Sequence, residues 1–221
     1  MNTITAEVPF SKNELRYRLI EPNIISSAEC ATLISLLEKY GEVGDGYKGN
    51  AHPHTPNETF GGYSLSGHGP HQHEPEHILC LQVMNRIRLQ TKKHFKLPFL
   101  WLDFGHLVFR EATPVDASAD TEEYSHPWHK DNQSAHVKHR THTGILYINE
   151  GFEGGLTRFQ ETEFGPFREV TPEPGKLVTF DVDKNPHSVS KLHSGKRYVL
   201  NLWFSTRLRI YKNHRKIFRP L

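Results

Sequence analysis

The segment Ser125 to Asn132 reads S-H-P-W-H-K-D-N and sets a histidine, His129, two residues before a carboxylate, Asp131. On an extended strand, residues i and i+2 face the same way, so the imidazole and the carboxylate can grip one metal ion. A second histidine, His187, stands in D-K-N-P-H-S-V, and Arg197 follows ten residues later. Two histidines and one carboxylate form a facial set that leaves three of the six positions on Fe(II) open. Any one of these residues is more often structural or solvated than catalytic. The weight lies in their shared order, spacing and strand phase.

Arg197 opens the stretch R-Y-V-L-N-L-W-F-S, where strict alternation predicts a strand. One face carries Arg197, Val199, Asn201 and Trp203; the other carries Tyr198, Leu200, Leu202 and Phe204. The apolar face suits a helix lying against it. A guanidinium, a carboxamide and an indole on the opposite face are costly inside a β-barrel unless a ligand or partner satisfies them, which marks a pocket wall. The guanidinium is a permanently charged fork for a carboxylate. A dicarboxylate that chelates the metal at one end and reaches Arg197 at the other fits this arrangement, and 2-oxoglutarate is such a molecule.

The elements that must position these groups are legible in outline. Ser26 and Glu29 make a capping box before Cys30, Leu33, Ile34 and Leu37, predicting an amphipathic helix to about Tyr40, and a strand at Arg16 to Ile20 precedes it. A second helix is expected from Pro75 to near Lys93, with Cys80, Val83, Met84 and Ile87 on its buried face. Between them, Gly44 to Pro75 is rich in Gly, Pro, Asn and His without a period, which predicts a loop at a binding mouth. Beyond Pro98 the period switches to two. Strands are expected at Leu100–Arg110, Gly144–Asn149, Leu156–Gln160, Phe167–Thr171, Leu177–Asp181 and Arg197–Ser205. The pattern is mainly β with supporting α-helices, in one domain over 1–221: helical support at about 15–95, a β core at about 100–206 and a basic tail at 207–221.

Bulk properties narrow the function classes. At 221 residues and 36% hydrophobic content the chain can bury a sizeable core. It has no apolar run of about 18 residues for a membrane span, and Met1 to Phe10 lacks the pattern of a secretory signal. Cys30 and Cys80 sit in helical patterns as core thiols, so a reducing, cytoplasmic setting is expected. A net charge of +2 does not call for nucleic acid, and the basic residues Arg207, Arg209, Lys212, Arg215, Lys216 and Arg219 read as a solvated terminal segment. No pattern sets an oligomeric state. Histidine is the real excess, at 16. His136, His139 and His142, spaced by three, form a competing metal set, but their stretch reads as a polar loop. His68, His71 and His73 read as solvated.

Several blocks resemble the Fe(II)/2-oxoglutarate oxygenases of the prolyl hydroxylase superfamily, most closely the catalytic domain of the prolyl 3-hydroxylases (leprecans). They are G-D-G-Y-K-G-x-x-x-P-H-T-P-x-E-x-F at Gly44–Phe60, H-L-V-x-R at His106–Arg110, S-H-P-x-H-x-D-N at Ser125–Asn132, the E-G-G turn in Gly144–Gly155, N-P-H-x-V at Asn185–Val189, and G-K-R with L-W-F in Gly195–Phe204. The resemblance implies a double-stranded β-helix, a cupin-like jelly roll, with helices behind its larger sheet. It implies Fe(II) on His129, Asp131 and His187, 2-oxoglutarate as co-substrate, O2, and ascorbate as a reductant. It sets the 2-oxoglutarate 5-carboxylate on Arg197, with Thr143 near that carboxylate and Tyr147 and Asn201 on the same wall. Tyr47, His52, His54, Trp128 and Trp203 become candidates for substrate contact. The implied activity is hydroxylation of an unactivated C–H, in a prolyl residue of a peptide or protein; Asp131 favours hydroxylation, since related halogenases lack that carboxylate. Free proline or another small metabolite is the alternative substrate, and a non-catalytic metal-binding jelly roll is the alternative outside enzymes. The animal collagen-modifying enzymes of this kind are secretory, whereas this sequence shows no signal and no K-D-E-L-type end, so a stand-alone cytosolic form is the expectation.

Overall fold

Alternating side chains after residue 100 build two opposed antiparallel sheets, and the helical segments before it close the outer face of the larger one. The computed structural model describes residues 10–44, 58–65, 71–113, 124–160 and 166–218. In chain order it contains β1 (Arg18–Glu21), α1 (Ser27–Tyr40), β2 (Glu42–Val43), β3 (Glu58–Ser64), α2 (Pro75–His94), β4 (Trp101–Ala112), β5 (Tyr124–His129), β6 (His142–Tyr147) and β7 (Glu153–Gly154). Then follow β8 (Thr157–Gln160), β9 (Phe167–Val170), β10 (Leu177–Asp181), β11 (His187–Ser190), β12 (Leu192–Ser194), β13 (Lys196–Ser205) and α3 (Tyr211–Ile217).

The large sheet has the order β1-β10-β6-β13-β4-β3-β2 and the small one β5-β11-β8-β9; β12 and β7 pair separately. Every pairing is antiparallel, and the order is that of a jelly roll. The alternation of β13 decides which face does what. Leu200, Leu202 and Phe204 join Leu33, Leu36, Leu37, Cys80, Leu81, Met84 and Ile87 in the core beneath α1 and α2. Val199 points the other way, into a second core between the sheets with Ile145, Tyr147, Phe159, Val178 and Phe180. The predicted helix-covered face and pocket face are therefore the two faces of β13.

Local chemistry sets the helix ends. Ser26 N–H donates to the Glu29 carboxylate (2.8 Å) and Glu29 N–H to Ser26 Oγ (3.2 Å), the capping box read from the sequence. The Glu29 carboxylate also pairs with Arg86 of α2 (2.9 Å), tying the two helices together. Cys30 and Cys80 are separate buried thiols. No helix among the described residues is long and apolar enough to cross a membrane.

Three expectations change. The Gly44 to Pro75 segment is not structureless throughout, because β3 lies in it and pairs with β4 along its whole length. The tail is not simply solvated either: α3 packs across β4 with Ile210 and Ile217 buried, leaving its basic residues outward. Similarly, β1, β2 and β3 are strands of the large sheet, so the segment before residue 95 builds the sheet as well as supporting it.

Candidate metal and co-substrate site

His129 is the last residue of β5 and His187 the first of β11, and the two are direct partners in the antiparallel register. That pairing closes a gap of 58 residues. Asp131 is reached by a turn after β5 rather than by continuing the strand, so the two-residue alternation is not what aims its carboxylate. His129 Nε2 lies 3.6 Å from Asp131 Oδ1, and His187 Nε2 lies 3.7 Å from Asp131 Oδ2. One ligand atom from each residue lies within 4.8 Å of the others. Among the described residues this is the one His/Cys/Asp/Glu group of three or more with metal-holding spacing.

The hydrogen bonds behind the histidines fix their tautomers. His129 Nδ1 lies 2.8 Å from the Pro127 carbonyl and His187 Nδ1 lies 3.1 Å from the Asn185 carbonyl. A carbonyl only accepts, so each Nδ1 carries the proton and each Nε2 keeps a lone pair for a metal. Burial pushes His187 down to about 4, with Asp131 opposing that shift and His129 adding to it. Burial works to raise the Asp131 pKa, but His187, His129 and Thr143 outweigh it and hold the carboxyl well below the usual range. The set is two imidazoles and one carboxylate, the donor chemistry of an Fe(II) facial site.

A cavity of about 330 Å³ contains this cluster in its wall. The large sheet contributes Phe60, Val108, Arg110, Thr143, Ile145, Arg197, Asn201 and Trp203; the polar segment after Asp131 contributes Gln133, Ser134, His136 and Arg140. Arg197 is 3% exposed, and its Nε is buried without a hydrogen-bond partner among the described residues. Its guanidinium lies 5.5 Å from the centre of the Tyr147 ring. A desolvated fork with an unfilled donor, in the same cavity as a metal-type cluster, fits a carboxylate of a metal-chelating acid. A non-catalytic metal-binding jelly roll does not require that arginine.

The E-G-G turn supports it. Gly155 has φ +63°, and a Cβ there would stand 2.9 Å from Arg197 Cδ. Gly155→Ala is expected to displace the Arg197 side chain as well as strain the turn. Calorimetric titration should show 2-oxoglutarate binding weakened by about tenfold, the worth of one charge-assisted hydrogen bond, with metal binding unchanged.

Other candidates fall differently. Thr143 is not at the Arg197 end. It lies opposite Trp203 in the register, whereas Tyr147 lies opposite Val199, and Thr143 Oγ1 donates to Asp131 Oδ2 at 2.6 Å. Its hydroxyl therefore steadies the candidate ligand instead of the distal carboxylate. Tyr147 does sit beside Arg197, with its hydroxyl donated to Thr157 Oγ1 (2.7 Å). Asn201 and Trp203 line the cavity, and Trp203 Nε1 is a buried donor without a partner among the described residues. Trp128 is outside the cavity lining; it packs towards Tyr124 and Phe167. Tyr47, His52, His54 and His68 lie outside the described residues. The set His136, His139 and His142 is not a cluster, because His139 pairs with Asp103 (2.9 Å) while His142 packs on Phe95. His71 stacks on Tyr40 and His73 contacts Gln72.

Two wall residues were missed as site residues. Arg140 lies over the Trp203 ring at 4.6 Å with its Nε on Asp103 (3.0 Å), and Arg110 pairs with Glu58 (3.1 Å). The signal for Arg110 was its place in the period-two pattern of β4.

The model of the 2OG-Fe(II) oxygenase superfamily matches residues 117–205. Human prolyl 3-hydroxylase 1 is 32% identical over 209 residues, covering 85% of this chain and 28% of that protein. The chain thus spans less than a third of the length of the curated relatives it matches. Among solved structures, a prolyl-4-hydroxylase from Pseudomonas putida superposes with a TM-score of 0.58 at 21% identity, over 86% of this chain and 92% of that one. A prolyl hydroxylase from Trichoplax adhaerens, in complex with a hypoxia inducible factor peptide fragment, gives 0.57 at 15% identity, over 91% and 88%. Sequence and fold converge on one domain: residues 117–205 carry the match to the 2OG-Fe(II) oxygenase superfamily, whose dioxygenases use Fe(II), 2-oxoglutarate and O2.

Proposed function

We propose that this chain hydroxylates an unactivated C–H of a prolyl residue in a peptide or protein, with Fe(II) on His129, Asp131 and His187 and 2-oxoglutarate on Arg197. The observation that carries the reading is one cavity holding both the His–Asp–His cluster and a buried guanidinium with an unfilled donor. The prolyl assignment draws on the prolyl 3-hydroxylases that resemble the chain over 85% of its length.

Bound there, Fe(II) with 2-oxoglutarate and O2 would supply the oxidising power for C–H hydroxylation, 2-oxoglutarate leaving as succinate and CO2. The protein's share is placement. His129 and His187 present Nε2, each held by a backbone carbonyl, and Thr143 holds one oxygen of Asp131. Arg197 fixes the far end of the co-substrate. Phe60, Val108, Ile145 and Val189 give the cavity an apolar lining that limits water near the reacting centre.

A second reading, hydroxylation of a free amino acid, draws on Arg140. Held between Trp203 and Asp103, its guanidinium suits the carboxylate of a free amino acid as well as the carbonyl of a peptide. Incubation with Fe(II), 2-oxoglutarate and either proline-containing peptides or free L-proline separates the two. A mass gain of one oxygen on the peptides, with matching succinate release, is the expected result; a gain on free proline alone would transfer the assignment. A reducing, cytosolic setting belongs to the same proposal and is supported by the two separate buried thiols.

A further inference from the structure

Arg110 and Arg197 are direct cross-strand partners on β4 and β13, so their side chains leave the sheet on the same face. Both line the cavity, and they are 6% and 3% exposed. Like charges placed opposite each other repel, and burial adds to the penalty because neither ion is well solvated. Such a pair needs compensation, and the protein supplies half of it. Glu58, the first residue of β3, accepts from Arg110 Nη1 through Oε2 at 3.1 Å. Its other oxygen accepts from Ser125 Oγ and from Leu192 N–H (3.2 Å). Both carboxylate oxygens are thus committed. Among the described residues, two cations and one anion leave one positive charge at this wall, with Arg197 Nε still unfilled.

The shortfall equals one carboxylate. We propose that Arg110 is the second half of a paired-arginine seat for the distal carboxylate of the co-substrate, and that Glu58 sets the seat's charge at one so that it selects a singly charged terminus. An aromatic ring stands beside each fork: the Arg110 guanidinium lies 4.9 Å from the Phe60 ring centre and that of Arg197 lies 5.5 Å from that of Tyr147. The arrangement gives Glu58, far along the chain from the histidine cluster, a part in choosing the co-substrate. This inference rests on the assignment of Arg197 to 2-oxoglutarate and extends it to a second residue and a charge rule.

The test compares two ligands by calorimetric titration of the full chain loaded with Mn(II). One is 2-oxoglutarate; the other is 2-oxopentanoate, which carries a methyl group where 2-oxoglutarate has its distal carboxylate. The ratio of their affinities isolates the seat, because the metal-chelating ends are identical. Wild-type protein should prefer 2-oxoglutarate. In Arg110→Gln that preference should fall by about tenfold or more, as expected when a charge-assisted hydrogen bond is lost, while 2-oxopentanoate binds as before. Glu58→Gln, which keeps the shape and releases Arg110, should raise the preference. Arg110→Lys, which keeps the charge and loses the fork, should fall between wild type and Arg110→Gln. If Arg110 serves only to hold Glu58 and the β3–β4 pairing, the variants will keep the wild-type ratio even where overall affinity drops, and the proposal is overturned. Should Arg110→Gln fail to fold, the wild-type ratio in both Glu58→Gln and Arg110→Lys is equally decisive against it. Absence of any preference in the wild type would sink the Arg197 assignment and this inference with it; a wild-type preference untouched by the substitutions removes the role of Arg110 and Glu58 alone.

Discussion

Asp131→Ala is expected to abolish substrate hydroxylation and succinate release and to lower Fe(II) affinity by more than about 100-fold, since removing even an outer partner of a metal ligand costs 10–100-fold. The carboxylate is the one anion between the two imidazoles, with Nε2 of His129 at 3.6 Å and of His187 at 3.7 Å. Without it, two imidazole nitrogens and the Thr143 hydroxyl face the metal position, a donor set much weaker for a hard divalent ion. The fold itself should persist, because Asp131 lies in a turn and holds no strand pairing. Thr143→Val tests the supporting hydrogen bond (2.6 Å) separately. It should cost no more than about 10–100-fold in metal affinity and leave the 2-oxoglutarate preference unaltered, because Thr143 sits at the metal end of the wall. An iron titration and a succinate assay on both variants check this. Normal iron affinity with retained turnover in Asp131→Ala would remove the ligand assignment.

How much of this was legible in the sequence depends on which interactions carry each part. The face of β13 was readable because every second residue changes chemistry, and the cores on its two sides follow that alternation. The β3 strand was not. It carries Gly61 and Gly62 in its centre, residues that weaken strand propensity. Their reason lies across the sheet: a Cβ at Gly61 would collide with the Phe109 ring, and one at Gly62 with the His106 ring. Those contacts are set by the β3–β4 register, which no local pattern displays. Thr143 was put at the wrong end of the wall for the same reason, since strand phase gives the face but not the position along it. The α3 helix hid behind its charge; Ile210 and Ile217, seven residues apart, were the weak signal of its buried side. The His129–Asp131–His187 set was readable as candidates, while their convergence depended on the β5–β11 register and a turn.

Arg197→Met should separate function from stability. Activity with 2-oxoglutarate should fall by at least about 100-fold at sub-saturating co-substrate, since a bidentate guanidinium–carboxylate contact amounts to two charge-assisted hydrogen bonds of about 1.5–3 kcal/mol each. Stability of the ligand-free protein should move the other way or stay level. Burial lowers the arginine's pKa, with Tyr147 and Glu58 acting in the opposite direction, so the free protein bears the cost of a desolvated cation whose Nε has no partner. Methionine fills similar space on an apolar wall of Phe60, Val108 and Val199 without that cost. A functional group held at the expense of the empty fold behaves this way. Thermal melts with and without 2-oxoglutarate read both effects at once. Wild type should melt higher with ligand, because binding to the native state adds to its stability, and Arg197→Met should show no ligand-dependent rise. A steep drop in the melting temperature of the ligand-free variant would instead make Arg197 a structural cation compensated by Glu58, and the seat for the co-substrate would have to be sought at Arg110 alone.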